Sequence, residues 1–278
     1  MRQSIALVTA LVVLTACSGD KAANAAADSV AATAAAVAAV PTTPTVITIT
    51  AKDFAYDAPD TVTAGMITIK LVNQGPSLHH VQLMHLTDGK VAADLEAGLK
   101  AAKHGSPPPP WAHAVAGPNS PVPGGESTIT EELEAGSYAI VCFIPDAAGV
   151  PHVMKGMIRP LTVVAAKTAA APAPTADINV KLTDYAFEIT PALTAGKHVI
   201  KIENTAEQSH EMFIALLAPG KKPEDLAMWV GKQVGPPPGK PIGGISGMAK
   251  GAVVYLPVDL EPGEYGLFCF LDDVKDGK

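Results

Sequence analysis

The sequence predicts an all-β protein made of two tandem β-sandwiches, each carrying one short inserted helix. Three observations lead there. One stretch of chain repeats itself, apolar residues alternate with polar ones at the period of a strand, and Gly and Pro cut the chain into short pieces.

The repeat sets the organisation. Lys52-Asp53-Phe54-Ala55-Tyr56 matches Thr183-Asp184-Tyr185-Ala186-Phe187. The match runs without a gap through Thr63-Ala64-Gly65 and Thr194-Ala195-Gly196, Asn73 and Asn204, and His79 and His210. After a change of offset, Leu133-Glu134-Ala135-Gly136-Ser137-Tyr138 matches Leu260-Glu261-Pro262-Gly263-Glu264-Tyr265, and Cys142-Phe143 matches Cys269-Phe270. Aromatic residues recur at the paired positions, so the copies share one core plan.

Within each copy the elements follow from pattern. Val46 to Thr50 and Ile178 to Leu182 alternate and open the copies as strands. Ile67, Ile69 and Leu71 alternate with Thr68 and Lys70, and Ser137 to Ile144 is a second β-branched and aromatic strand. Helices are expected over Val91 to Lys103 and Pro223 to Val234. Each is followed by a Pro run, Pro107 to Pro110 and Pro236 to Pro238, which stops a helix. Many short strands with one helix per copy suggest sandwiches.

Upstream of the repeats, Met1-Arg2 is a short positive start and Ile5 to Ala16 an apolar run too short to span a bilayer. It ends in Leu14-Thr15-Ala16-Cys17, which resembles the lipobox of bacterial lipoproteins, where cleavage before the Cys accompanies its acylation. The alternative is an ordinary export signal with a chance Cys. Ser18 rather than Asp follows the Cys, which in that family points to the outer membrane. The resemblance implies residues 1–16 as signal peptide and a lipid anchor on Cys17. It implies a place in the cell envelope, facing the periplasm ahead of the cell surface. Residues 17–44 are Ala-rich, without aromatic residues or an apolar period, and read as a tether. The first sandwich then covers 45–164, an Ala/Pro linker 165–176, and the second sandwich 177–278, which looks incomplete at its C-terminus.

The formal charge is −7, one unit more negative once the signal is removed, and no basic run stands out. Nucleic acid is therefore not expected as a partner. The acidic balance suits a basic protein partner, whose identity the sequence leaves open. Cys142 and Cys269 remain after Cys17. They either pair, ligate metal or lie buried and inert. Pairing is disfavoured because each occupies the same place in its own copy.

Gly136-Ser137-Tyr138-Ala139-Ile140-Val141-Cys142 resembles the cupredoxin strand that delivers a copper thiolate in plastocyanin and azurin. His152-Val153-Met154-Lys155-Gly156-Met157 is similar to the His-x-x-x-Gly-Met of plastocyanins, and Asn73 to His79 to the segment that supplies the first His. The resemblance covers Val46 to Val164, and again Asp177 to the end. It implies Greek-key sandwiches and one copper in the first copy, held by His79, Cys142, His152 and Met157, with Met154 a lesser substitute for Met157. His79 is preferred to His80 because the second copy keeps His210 but has Glu211 where His80 stands. His85, His104, His113 and His198 lack such pairing and read as surface or core residues.

Two departures remain. Nine residues, Phe143 to Pro151, separate Cys142 from His152, more than the family's loop. They either bulge outward and leave His152 in place, or carry it away. In the second copy only His210 and Cys269 match, so that copy is either incomplete or an open, metal-free module. The expected function is copper binding and one-electron transfer, with a metal-free interaction module as the alternative. No Gly-x-Ser-x-Gly, P-loop or Cys-x-x-Cys is present, nor the further His pairs of a multicopper oxidase, so the chain is expected not to be an enzyme.

Overall fold

The first repeat opens with β1 (Thr45–Lys52), β2 (Ala55–Asp57), β3 (Thr61–Thr63) and β4 (Gly65–Asn73). It continues with β5 (Gln82–Leu86), α1 (Ala92–Ala101), β6 (Ala112–Val115), β7 (Glu126–Leu133), β8 (Gly136–Val141), a 3-10 turn at His152–Lys155, and β9 (Ile158–Val164). The second repeat comprises β10 (Ile178–Thr183), β11 (Ala186–Thr190), β12 (Gly196–Asn204), β13 (His210–Leu217), α2 (Pro223–Val230), β14 (Gly239–Met248), β15 (Val253–Leu260) and β16 (Tyr265–Phe268). The computed structural model describes residues 42–102, 106, 108–231 and 234–274. The export signal, nearly all of the tether, Cys17 and His104 lie outside the described residues. Among the described residues no helix is long and apolar enough to cross a membrane.

Alternation in sequence becomes burial on one face. Ile47, Ile49 and Ala51 of β1 and Ile67, Ile69 and Leu71 of β4 all point into the core, while their neighbours face outward. β1 runs parallel to β4 with Ile47 opposite Ile69, and β10 runs parallel to β12 with Ile178 opposite Ile200. The two copies thus share register as well as sequence. Facing β1, β4 and β7 across the core is a sheet of order β3-β9-β8-β5-β6, which contributes Leu83, Tyr138, Ile140, Leu161 and Val163. Each fully buried aliphatic side chain contributes about 1.5–3 kcal/mol relative to exposure.

The repeats are joined through their sheets. One eight-stranded sheet, β11-β10-β12-β15-β7-β4-β1-β2, passes through both copies, with β15 pairing to β7 at Val254–Glu131 and Tyr255–Thr130. A smaller sheet, β14-β13-β16, covers the second half. Apolar residues of both copies form a single core cluster.

Local details differ from the pattern-based expectation in places. α1 ends at Ala101, where Ala102 turns extended, and α2 ends at Val230 ahead of Gly231. Asp94 accepts the Val91 N–H and Asp225 the Lys222 N–H, so each first turn is closed by its own carboxylate. The strand expected through Ile144 stops at Val141. There the Phe143 N–H leaves the ladder and donates to His80 Nε2 (3.0 Å), while the Cys142 carbonyl accepts from Val153 (2.8 Å).

Candidate metal centre

Four segments meet at one end of the first sandwich. The first is the turn between β4 and β5. Asn73, fully buried, donates to the Ser77 and Pro121 carbonyls and accepts from Gly75 N (3.1 Å). This ties the turn down and delivers His79, which lies just before β5 and not in a strand. The second segment is Cys142, the first residue past the end of β8.

The third is the long connection after Cys142. Pro145 and Pro151 form an isolated antiparallel bridge, and Asp146 N donates to the Val150 carbonyl (2.9 Å). The Asp146 carboxylate accepts from Ala148 N and Val150 N (2.9 Å each) and pairs with Lys155. The extra residues therefore close on themselves and bulge outward. His152 N donates to the Ile144 carbonyl (2.9 Å), so the loop returns its imidazole to the sulfur. After His152 one 3-10 turn ends at Gly156, whose φ of 95° suits glycine and points Met157 inward. The Met157 carbonyl accepts from Cys142 N (3.2 Å) and its N–H donates to the His152 carbonyl (3.1 Å). Met157 is fully buried, whereas Met154 is 39% exposed.

The fourth segment is the turn between β1 and β2. Asp53 Oδ1 lies 3.0 Å from His79 Nε2, and the Phe54 ring stands edge-on to His152 at 5.2 Å between centroids. Lys155 Nζ sits 4.6 Å from the centre of the Phe54 ring.

The donors converge. His79 Nδ1 is 3.1 Å from His152 Nδ1, and Cys142 Sγ is 3.5 Å from His152 Nδ1. One ligand atom from each of the three residues falls within 4.8 Å of the others, and all three side chains are buried. A first-row ion bonded at about 2.0 Å to nitrogen and 2.3 Å to sulfur holds its ligand atoms roughly 3–4 Å apart. The spacing, and the softness of one thiolate with two imidazoles, fit copper.

Burial sets the protonation states. It pushes the Cys142 thiol up to about 11, with backbone N–H groups of His80 and Ile144 pulling the other way. It lowers His152 to about 4, helped by His79. His79 is lowered by burial, with Asp53 opposing. Both imidazoles are thus neutral near pH 7, with lone pairs free for a metal. The Tyr56 hydroxyl donates to the His80 carbonyl and is raised well above its usual value by burial, then by the neighbouring Cys142.

Three groups around the site were not singled out from sequence: Asp53, Phe54 and the accepting role of His80. The signal for Asp53 was available, since Asp184 repeats it. His80 Nε2 is occupied by the Phe143 N–H. Glu211 Oε1 accepts the Phe270 N–H (2.9 Å) in the same way. The exchange of His for Glu keeps an acceptor for the residue after the Cys. His85 stacks on Tyr138 at 4.6 Å, His113 is exposed, and His198 pairs with Asp177 at 2.6 Å.

In the second repeat His210 Nδ1 lies 3.6 Å from Cys269 Sγ, and His210 Nε2 lies 3.2 Å from Asp184. Cys269 is exposed, beside a cavity of about 340 Å³ that Tyr185, Phe187 and Gln208 also line. Cys142 and Cys269 are both free thiols.

No protein-family model and no curated protein sequence matches the chain. Solved structures similar to it include blue copper proteins and copper oxidases. Reduced auracyanin from Roseiflexus castenholzii is 24% identical over 45% of this chain and 99% of its own, with a TM-score of 0.30. A blue copper oxidase from Nitrosomonas europaea is 16% identical over 83% of this chain and 80% of its own (TM-score 0.27). A copper-containing nitrite reductase from Thermus scotoductus is 10% identical over 81% and 57% (TM-score 0.23). The expectation that the chain is not an enzyme is corrected by these neighbours, which include an oxidase and a reductase. The missing Gly-x-Ser-x-Gly, P-loop and Cys-x-x-Cys motifs have no bearing on copper redox catalysis.

Proposed function

We propose that this chain is a lipid-anchored envelope protein that binds one copper ion in its first repeat and carries single electrons. The observation that supports it is the convergence of one ligand atom each from the buried His79, His152 and Cys142 side chains to within 4.8 Å of one another. Each repeat is read as a cupredoxin-like Greek-key sandwich, 45–164 and 177–278, with 165–176 between them. Met157 is the weak fourth ligand, since it is buried and its backbone bridges Cys142 and His152. Copper, when bound, exchanges one electron between Cu(I) and Cu(II) on a ligand set that both states accept.

The chain's own residues do the rest. Cys142 gives up its thiol proton on loading, because a metal-bound thiol is deprotonated. The two neutral imidazoles supply lone pairs without first losing a proton at neutral pH. Phe54 packs over His152 and, with the surrounding burial, keeps water from the donors. The sandwich frame holds all four segments and limits movement between oxidation states. Acylation of Cys17 would hold the protein at the outer membrane, facing the periplasm.

The test is a titration of soluble protein with Cu(II). An intense visible thiolate band is expected at one equivalent, lost in Cys142→Ser. Colourless protein with no retained copper would leave a metal-free interaction module as the reading. Acyl labelling lost in Cys17→Ser checks the anchor.

A further inference from the structure

Asp53 stands behind the donor set. Its Oδ1 is 3.0 Å from His79 Nε2, while the other ring nitrogen, Nδ1, meets His152. A carboxylate accepts and does not donate, so the proton in this contact sits on Nε2. A neutral imidazole carries one ring proton. With that proton on Nε2, Nδ1 is a bare lone pair, 3.1 Å from His152 Nδ1. The opposite tautomer would put a hydrogen where the ion must bind.

The surroundings are shaped for this contact. A Cβ on Gly75 would meet His79 Nε2 at 2.6 Å and Asp53 Oδ1 at 3.0 Å, so a glycine leaves room for the pair. In the second repeat Ala206 stands at the matching place, with its N–H on Asn204 Oδ1 as Gly75 N is on Asn73 Oδ1. There the His210–Asp184 contact is slightly longer, 3.2 Å. Both turns hold an aromatic residue at positive φ directly after the Asp, Phe54 at 59° and Tyr185 at 69°. The same unusual turn, built twice, brings a carboxylate to the same imidazole nitrogen.

We infer that Asp53 is a positioning residue for the metal centre: its carboxylate fixes the Nε2–H tautomer of His79 and sets a negative charge one imidazole away from the ion. The charge part rests on the copper reading above; the tautomer belongs to the metal-free protein and stands apart from it. The anion favours Cu(II) over Cu(I) and holds the reduction potential down. Loss of such an outer carboxylate weakens metal binding about ten- to a hundredfold.

Three variants separate these effects. Asp53→Ala removes acceptor and charge, Asp53→Asn keeps an acceptor oxygen without the charge, and Asp184→Ala repeats the lesion in the other copy. Nitrogen-15 NMR of the metal-free proteins reads the His79 tautomer. It should be Nε2–H in wild type, Asp53→Asn and Asp184→Ala, and mixed or reversed in Asp53→Ala. Competition with chelators should show Cu(II) affinity down about ten- to a hundredfold in Asp53→Ala and unchanged in Asp184→Ala. The reduction potential should rise in Asp53→Asn, with the thiolate band retained. An unshifted His79 tautomer in Asp53→Ala overturns the inference, as do unchanged affinity and potential in both Asp53 variants. Should wild type bind no copper, the copper reading fails, and the NMR result alone decides the role of Asp53.

Discussion

At the scale of single residues, the site depends on groups that touch the donors without being donors. His80 is the clearest case. It is buried, and burial with two neighbouring imidazoles lowers it to about 3, so it stays neutral and accepts the Phe143 N–H. Removing that acceptor leaves a partly buried N–H unsatisfied, which costs up to about 1–3 kcal/mol. His80→Ala is expected to lose about that much in urea denaturation. His80→Gln, which can still present an oxygen, is expected to lose less, as Glu211 in the second repeat suggests. Equal losses in the two variants would show that volume, not the hydrogen bond, matters there. Asn73 has the same character: its three hydrogen bonds hold the turn before His79, and Asn204 repeats them before His210.

At the scale of elements, the connection from Cys142 to His152 decides whether a metal centre exists. Its extra length does no harm because the segment is self-contained. The Pro145–Pro151 bridge closes its base, and Asp146 gathers two backbone N–H groups and Lys155. These partners hold the Asp146 carboxyl at about 2, led by Lys155. The sign is that of a depressed acid. Its contribution is present above the ordinary value near 3.8 and is lost as pH falls through about 2. Asp146→Ala is expected to loosen the loop and let His152 drift from the sulfur. Copper affinity should then fall while the overall β circular dichroism stays intact. Wild-type affinity in Asp146→Ala would show that the proline bridge alone sets the loop.

At the scale of the whole molecule, the two repeats behave as one body because a sheet and a core cross between them. The crossing strand pair, β7 with β15, holds a buried carboxyl, Glu131. Its Oε1 has no hydrogen-bond partner among the described residues, and burial raises its pKa from 4.5 to about 8. A carboxyl raised in the folded state is protonated there over a range where the unfolded chain has ionised. Stability is therefore full below pH 4.5 and declines as pH rises towards 8, by up to a few kcal/mol. Glu131→Gln removes this term. Urea midpoints at pH 5 and pH 8 should differ more in wild type than in Glu131→Gln. Equal differences would mean that the carboxyl is not buried in solution. Asn119 adds to the junction, donating to Glu211 Oε2 (3.0 Å) and to the Ile245 carbonyl (3.1 Å) of the second repeat.

Sequence by itself determined what depends on local pattern: the β class, the repeat, the paired faces of β1 and β4, and the residue types His79, Cys142, His152 and Met157. Alternation and turn chemistry are properties of neighbours along the chain, so they can be read there. Only the tertiary structure decided whether nine residues carry His152 away or bring it back, because loop closure depends on contacts such as Asp146 with Lys155. The same holds for Asp53 on His79, for His80 as an acceptor, and for the sheet shared by both copies. Each of these is a meeting of residues far apart in sequence, and their distance in space is fixed by how two layers pack.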